Sequence, residues 1–99
     1  MRRRGQGYWN WADPQLHCRT HDETLSDGTV IDVQVRLSRT GNTQMFIGIY
    51  DPSGTAVHEE AFNSLPGESM SRALASGVSQ ARRIAIEGSQ GADVLAASK

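Results

Sequence analysis

The stretch VIDVQVRLSRTGNTQMFIGIYDPSGTAVHEEAF, residues 30–62, decides the fold. Its first part, residues 30–38, alternates apolar with polar or charged side chains, which is the period-2 pattern of a strand that buries one face. The apolar members of this pattern are Ile31, Val33, Val35 and Leu37. Such a strand needs partner strands and a packed layer on its apolar face, and the downstream sequence offers both.

Two turn signals divide the rest of this stretch. Gly41 and Asn42 tolerate a positive φ and predict a short hairpin loop, while DPSG at 51–54 combines a proline of preset φ with a glycine. Strands are therefore predicted over about 44–50 and about 55–62. The third strand is the least apolar, and its charges predict an edge of the sheet.

A helix is predicted over about 67–87, because small and apolar residues recur there at alternating spacings of four and three. The residues of this stripe are Met70, Leu74, Gly77, Ala81, Ile84 and Gly88. The predicted fold is α+β: a three-stranded antiparallel β-meander followed by one long α-helix (βββα) that packs on the first strand. The chain divides into a flexible basic arm over 1–7, a single domain over 8–88 and a C-terminal tail over 89–99.

Composition limits the classes of function. The chain has 99 residues and a hydrophobic fraction of 37%, so its core is modest, and we expect a homodimer that buries further apolar area. Cys18 is the single cysteine, which excludes an internal disulfide. No apolar run has the length of a membrane span, and the basic start is not followed by the apolar core of a signal peptide. We expect a cytoplasmic protein of bacterial type.

The second face of the predicted sheet raises the main functional question. Phe46 and Tyr50 would lie on this face near Gln34 and Arg36. Aromatic rings among such residues can stack on the bases of single-stranded RNA, and they are also typical of dimer and protein-docking interfaces. In a further alternative, the tryptophans of the N-terminus fold back and cover this face. The candidate interface residues are Phe46, Tyr50, Trp9 and Trp11.

Clusters of arginine are the distinctive charge pattern in a chain of formal net charge −1. The candidate nucleic-acid-binding residues are Arg2, Arg3, Arg4, Arg36, Arg39, Arg72, Arg82 and Arg83. Arginine favours planar, bidentate contacts with phosphate, so we predict a small dimeric DNA-binding regulator, with RNA a less favoured ligand. The acidic runs between the clusters would have to face away from the nucleic acid. The alternative is a protein-interaction or structural module that docks through the aromatic sheet face.

The signals for metal binding and catalysis are weak. His17, Cys18 and His21 lie within five residues, and His58 would be a fourth ligand, but the paired spacing of a zinc site is missing. His58 and Glu60 share a strand face and are interpreted as an edge-strand charge cluster. No phosphate loop, nucleophile elbow or dinucleotide motif is present. We therefore predict no catalytic residue, metal or cofactor, and do not expect an enzyme.

The order of elements over residues 30–87 is similar to that of small bacterial proteins built from a β-meander and a helix. It also resembles the last three strands and the final helix of double-stranded-RNA-binding domains. That family has a basic cluster where its last helix begins, whereas this chain reads PGESMSRA there. The resemblance therefore covers the order of elements and assigns no site residue.

Overall fold

The computed structural model describes the backbone of residues 3–97 and the side chains of residues 3–87. Its elements, in chain order, are α1 (Gln6–Trp11), β1 (Cys18–Thr24), β2 (Val30–Leu37), β3 (Thr43–Tyr50), β4 (Ala56–Phe62) and α2 (Met70–Ala97). The strands form one antiparallel sheet in the order β1-β2-β3-β4. The α+β class and the meander followed by a helix are confirmed. None of the helices in this part of the chain is long and apolar enough to span a membrane.

The sheet has a fourth strand, so the prediction of three strands is wrong. β1 has the sequence CRTHDET and pairs with β2 from Cys18 opposite Arg36 to Thr24 opposite Val30. It lacks the apolar alternation that identifies a half-buried strand, because it lies at an edge of the sheet and is held there by backbone hydrogen bonds. β4 forms the other edge, as its charges predicted.

The hydrophobic core lies between the sheet and α2, on what we call the helix-side face. Its buried residues come from β2, β3 and α2: Ile31, Val33, Val35, Met45, Ile47, Ile49, Ala73, Val78 and Ala81. The predicted apolar face of β2 is confirmed except at Leu37, which is exposed. A Cβ atom on Gly77 would lie 2.8 Å from Val33 Cγ1 and 2.5 Å from Met45 Sδ, so the glycine allows α2 to approach the sheet closely.

The bounds of α2 differ from the predicted range of 67–87. The helix begins later because a turn precedes it, in which Glu68 N donates to Leu65 O and Gly67 has φ +77°. The helix continues to Ala97, since a glycine inside a helix costs only about 1 kcal/mol and Gly88 does not end it. Most of the predicted C-terminal tail is thus helical, and residues 98 and 99 lie outside the described part.

The predicted flexible arm packs on the sheet wherever it is described. Arg3 N donates to Gly54 O at 2.6 Å, and α1 begins at Gln6, within the range assigned to the arm. Residues 3–11, which we call the N-terminal strap, cross the face of the sheet opposite α2. We call this the second face, and the strap lies on it at β3 and β4.

Candidate functional site

The N-terminal strap covers the aromatic residues of the second face. Phe46 and Tyr50 are completely buried in this single chain. The rings of Tyr8 and Trp11 pack on Phe46, with ring centroids 5.3 and 5.6 Å away. Trp11 therefore folds back on the sheet, as one alternative from the sequence proposed, and joins Phe46 and Tyr50 in one cluster. Trp9 lies beside this cluster but remains 61% exposed.

Glu59 of β4 fixes the start of α1. Its carboxylate accepts hydrogen bonds from Gly5 N at 2.8 Å, from Tyr8 N at 3.2 Å and from Tyr50 Oη at 3.0 Å. Gly5 is the N-cap residue of α1 and has no side chain to cap it, so this distant carboxylate satisfies helix N–H groups that local sequence leaves unpaired. A Cβ on Gly5 would lie 2.5 Å from Glu59 Oε1, and glycine therefore permits the approach.

A buried ion pair joins the strap to β2. Arg4 Nη1 donates to Asp32 Oδ2 and, at 3.3 Å, to Tyr50 Oη, and the same guanidinium lies 4.1 Å from the centre of the Tyr8 ring. Gln34 Nε2 also donates to Asp32 Oδ2, at 3.2 Å. Burial, reinforced by the hydrogen bond to Glu59 and opposed by Arg4, raises the pKa of Tyr50 to about 12. The phenol is therefore protonated at neutral pH and donates to Glu59.

Arg36 holds the C-terminal end of α1. Its Nη1 donates to Trp11 O at 2.6 Å and its Nε donates to Gln44 Oε1 at 2.8 Å. The guanidinium lies 3.8 Å from the centre of the Trp11 ring, and both side chains are buried. Arginine near the end of a helix satisfies its last carbonyl groups. In this conformation Arg36 supports the strap and is not accessible to a phosphate group.

A pocket of about 310 Å³ opens between the end of the strap and the second face of β1 and β2. The residues that line it are Tyr8, Trp9, Trp11, Ala12, Asp13, Pro14, Cys18 and Gln34. Gln34 is only 7% exposed, and its amide oxygen accepts no hydrogen bond from the described residues. Asp13 accepts a hydrogen bond from Arg39 Nη1 at 3.3 Å, and burial raises the pKa of the Cys18 thiol. The pocket thus combines aromatic walls with acceptor atoms.

The remaining predicted phosphate contacts do not meet at this pocket. Arg3 has an exposed side chain near the turn between β3 and β4, and Arg2 lies outside the described residues. Arg39 is in the β2–β3 turn, where its Nη2 also donates to Gln15 Oε1 at 2.6 Å. The seven predicted arginines that the structure describes are therefore distributed over both faces of the sheet rather than gathered in one site.

Three of the predicted arginines lie on α2, on the opposite side of the sheet from the pocket. Arg72 pairs with Glu68 at 3.6 Å, Arg82 pairs with Glu23 at 2.6 Å, and Arg83 is exposed. The hydrogen bonds from Arg82, with a smaller contribution from His21, lower the pKa of Glu23 to about 2. Arg19 of β1, which was not selected from the sequence, lies beside the arginines of α2. Its Nη1 donates to Ser71 Oγ at 2.8 Å.

The histidines and Cys18 are separated by strand alternation. Cys18 lies opposite Arg36 on the second face, whereas His21 lies opposite Val33 on the helix-side face. His58 lies on β4, at the far edge of the sheet, and contacts Glu60 at 3.2 Å. Among the described residues there is no group of three or more His, Cys, Asp or Glu side chains placed to hold a metal ion.

Sequence reasoning missed the carboxylates that organise the site. Neither Asp32 nor Glu59 was selected from the sequence as a site residue. The segment GQGYW gave one signal, because two glycines immediately before an aromatic pair indicate a backbone that another element approaches closely, here the Glu59 side chain. Comparisons with protein-family models, with curated proteins and with solved structures found no match. The geometry of the chain itself therefore carries the functional argument.

Proposed function

We propose that this chain is a protein-interaction module that docks through the strap pocket, the cavity between the N-terminal strap and β1–β2. The observation that carries the proposal is Trp9, a large aromatic side chain 61% exposed at a pocket with aromatic walls. Tryptophan is enriched among the residues that dominate binding energy at protein interfaces. Of the four interface residues predicted from the sequence, Trp9 and Trp11 therefore remain candidates, because Phe46 and Tyr50 lie beneath the strap.

The size of the exposed ring supports docking. A tryptophan buries roughly 200 Å² when it is fully covered. Covering the exposed 61% of Trp9 would therefore remove about 120 Å² from water. At about 25 cal/mol per Å² this is worth about 3 kcal/mol, which is the size of an interface hot spot.

The support beneath the pocket also favours binding. Glu59 holds the start of α1 and Arg36 holds its end, so the aromatic walls are fixed before a partner arrives. A preorganised surface loses less conformational entropy on association than a flexible one. The strap therefore acts as a rigid platform in this proposal.

Selection from a random peptide library displayed on phage tests the proposal. We expect peptides that bind the wild-type chain and are not retained by the Trp9→Ala variant. Val57→Ala is the matched control, because Val57 is equally exposed but lies on β4, outside the pocket lining. Selected peptides that bind wild type and Trp9→Ala equally, or failure to select any peptide, would contradict the proposal.

We also propose that the chain forms a homodimer through β1. A two-fold antiparallel pairing centred on His21 would place Arg19 opposite Glu23 of the partner subunit, so the strand is complementary to itself. Sedimentation analysis should give a mass of twice 10.8 kDa, and Arg19→Glu should restore the monomer by placing like charges opposite each other. A wild-type monomer at high concentration would contradict this proposal.

Nucleic-acid binding is the second candidate, now centred on α2. Arg19, Arg72 and Arg83 all have exposed side chains, and the bond from Arg19 to Ser71 brings two of these guanidinium groups to the same turn of α2. Fluorescence anisotropy with a labelled DNA duplex at about 50 and 200 mM salt tests it, since phosphate contacts weaken steeply over that range. Binding should fall in Arg72→Gln and Arg83→Gln, with Arg39→Gln as the control. The absence of binding at the lower salt concentration excludes it.

A further inference from the structure

We infer that the strap pocket receives an arginine side chain of the partner protein, an inference that rests on the proposed docking function. Two acceptor groups line the pocket, the amide oxygen of Gln34 and the carboxylate of Asp13, while the indole N–H of Trp11 is a buried donor with no partner among the described residues. The walls are the rings of Tyr8, Trp9 and Trp11, whose faces attract cations. A planar cation with several N–H donors complements both features.

Gln34 gives this pocket a specific polar floor. Gln34 is 7% exposed, and its Nε2 is committed to Asp32. The amide oxygen must therefore point away from Asp32, and no described residue donates to it. An apolar ligand that covered this oxygen would remove it from water without supplying a donor, at a cost in free energy, so a ligand with an N–H group is favoured.

The chain already uses this mode of recognition on the same rings. Arg4 stacks on Tyr8 at 4.1 Å and Arg36 stacks on Trp11 at 3.8 Å. Trp9, the third ring of the pocket, has no guanidinium against it among the described residues. The pocket therefore offers an unused aromatic surface of the kind that pairs with arginine elsewhere in the strap.

The charge balance explains why an arginine is favoured over a simple ammonium group. Among the described residues around the pocket, the carboxylates of Asp13, Asp32 and Glu59 balance the guanidinium groups of Arg4, Arg36 and Arg39, so these six groups sum to zero charge. Recognition must then depend on stacking and hydrogen bonds, which the planar guanidinium supplies better than a compact, strongly hydrated ammonium. The Arg39 side chain that pairs with Asp13 is 62% exposed, so an arginine of the partner protein can bind the Asp13 carboxylate beside Arg39 or in its place.

An NMR titration of the ¹⁵N-labelled chain tests the inference with N-acetyl-L-arginine amide as the probe. We expect saturable shifts of the Trp9 indole N–H and of the Gln34 side-chain amide. The neutral analogue N-acetyl-L-citrulline amide has nearly the same shape and should bind about fivefold more weakly, the factor expected from one exposed cation–π contact. Equal shifts with both probes, or no shifts with the arginine probe, would overturn the inference.

Variants separate the pocket from the rest of the surface. Trp9→Ala should abolish the shifts of Gln34, and Asp13→Asn should weaken arginine binding about threefold, as loss of a partly exposed charge contact predicts. Glu60→Gln is the matched control, because Glu60 is also partly exposed but lies on the helix-side face. If Asp13→Asn and Glu60→Gln reduce binding equally, the pocket does not recognise the cation.

The peptide selection distinguishes failure of this inference from failure of the docking function. Peptides that require Trp9 and contain a common arginine support both. Peptides that require Trp9 but share an aromatic or aliphatic anchor instead support docking and overturn the arginine assignment. If no peptide is selected and the arginine probe produces no shifts, both are overturned.

Discussion

Replacement of Glu59 by glutamine should release the N-terminal strap. The carboxylate accepts three hydrogen bonds, from Gly5 N, Tyr8 N and Tyr50 Oη. The amide of Glu59→Gln keeps one acceptor oxygen and turns an NH₂ group toward donors, so at least one bond is lost and its donor is left unsatisfied, at about 1–3 kcal/mol. The remaining bonds lose the assistance of the charge. Together these losses predict about 3 kcal/mol of destabilisation.

Urea unfolding with two spectroscopic probes measures this effect. Trp9 and Trp11 both lie in the strap, so their fluorescence reports its release, whereas circular dichroism at 222 nm reports mainly α2. In Glu59→Gln the fluorescence transition should occur at a lower urea concentration than the helical one, because a segment held by few contacts can open before the whole domain. The strap would then be a separately unfolding unit.

Glu60→Gln provides the control for this experiment. Glu60 is the next residue of β4, points to the opposite face and contacts only His58, at 3.2 Å, among the described residues. A partly exposed pair of this kind is worth at most about 1 kcal/mol. If Glu59→Gln and Glu60→Gln unfold within about 0.5 kcal/mol of each other by both probes, the capping role assigned to Glu59 is wrong.

Three further predictions concern packing and titration. Gly77→Ala should destabilise the chain by about 1–3 kcal/mol in urea unfolding, because the new Cβ overpacks the core. Ser76→Ala, on the exposed side of α2, is the control and should not destabilise it. Equal stability of the two variants would refute the close packing at Gly77. Stopped-flow absorbance should show the Tyr50 phenol ionising at about pH 12. Since its pKa is raised from 10.0, its contribution to stability is complete below pH 10 and is lost as the pH rises through 12. Because Tyr8 remains in Tyr50→Phe, the contradicting result is a phenol step near pH 12 that this variant retains. A carbon-13 NMR titration should place the pKa of Glu23 at about 2. The contribution of this carboxylate to stability is then present above pH 4.5 and is lost as the pH falls through 2. Arg82→Gln should return the pKa of Glu23 toward 4.5, and an unchanged pKa would contradict Arg82 as the cause.

The elements with a strong local pattern could be predicted from the sequence. β2 alternates apolar and polar residues, and the turn residues Gly41 and Gly54 delimit β3 and β4 and do adopt positive φ. These signals are local, since each follows from the period of one element or the conformational freedom of one residue. β1 has neither signal, because an edge strand held by its backbone can be polar throughout.

The candidate site depends on contacts between distant residues, which local patterns do not reveal. Glu59 caps α1 across 54 residues, and Arg4 reaches Asp32 across 28. In sequence, Arg4 and Arg36 resemble exposed phosphate contacts, but each lies on an aromatic ring and binds groups within the chain. The nucleic-acid function itself stays a prediction, now confined to the arginines of α2 and β1.

The affinity of the strongest selected peptide for three forms of the chain tests the central claim most directly. Isothermal titration calorimetry should give a dissociation constant at least about tenfold higher for Trp9→Ala than for wild type, because covering the ring is worth well over 1.4 kcal/mol. Val57→Ala should bind as wild type does. Equal affinities of wild type and Trp9→Ala would contradict the claim that this chain docks partners through the strap pocket.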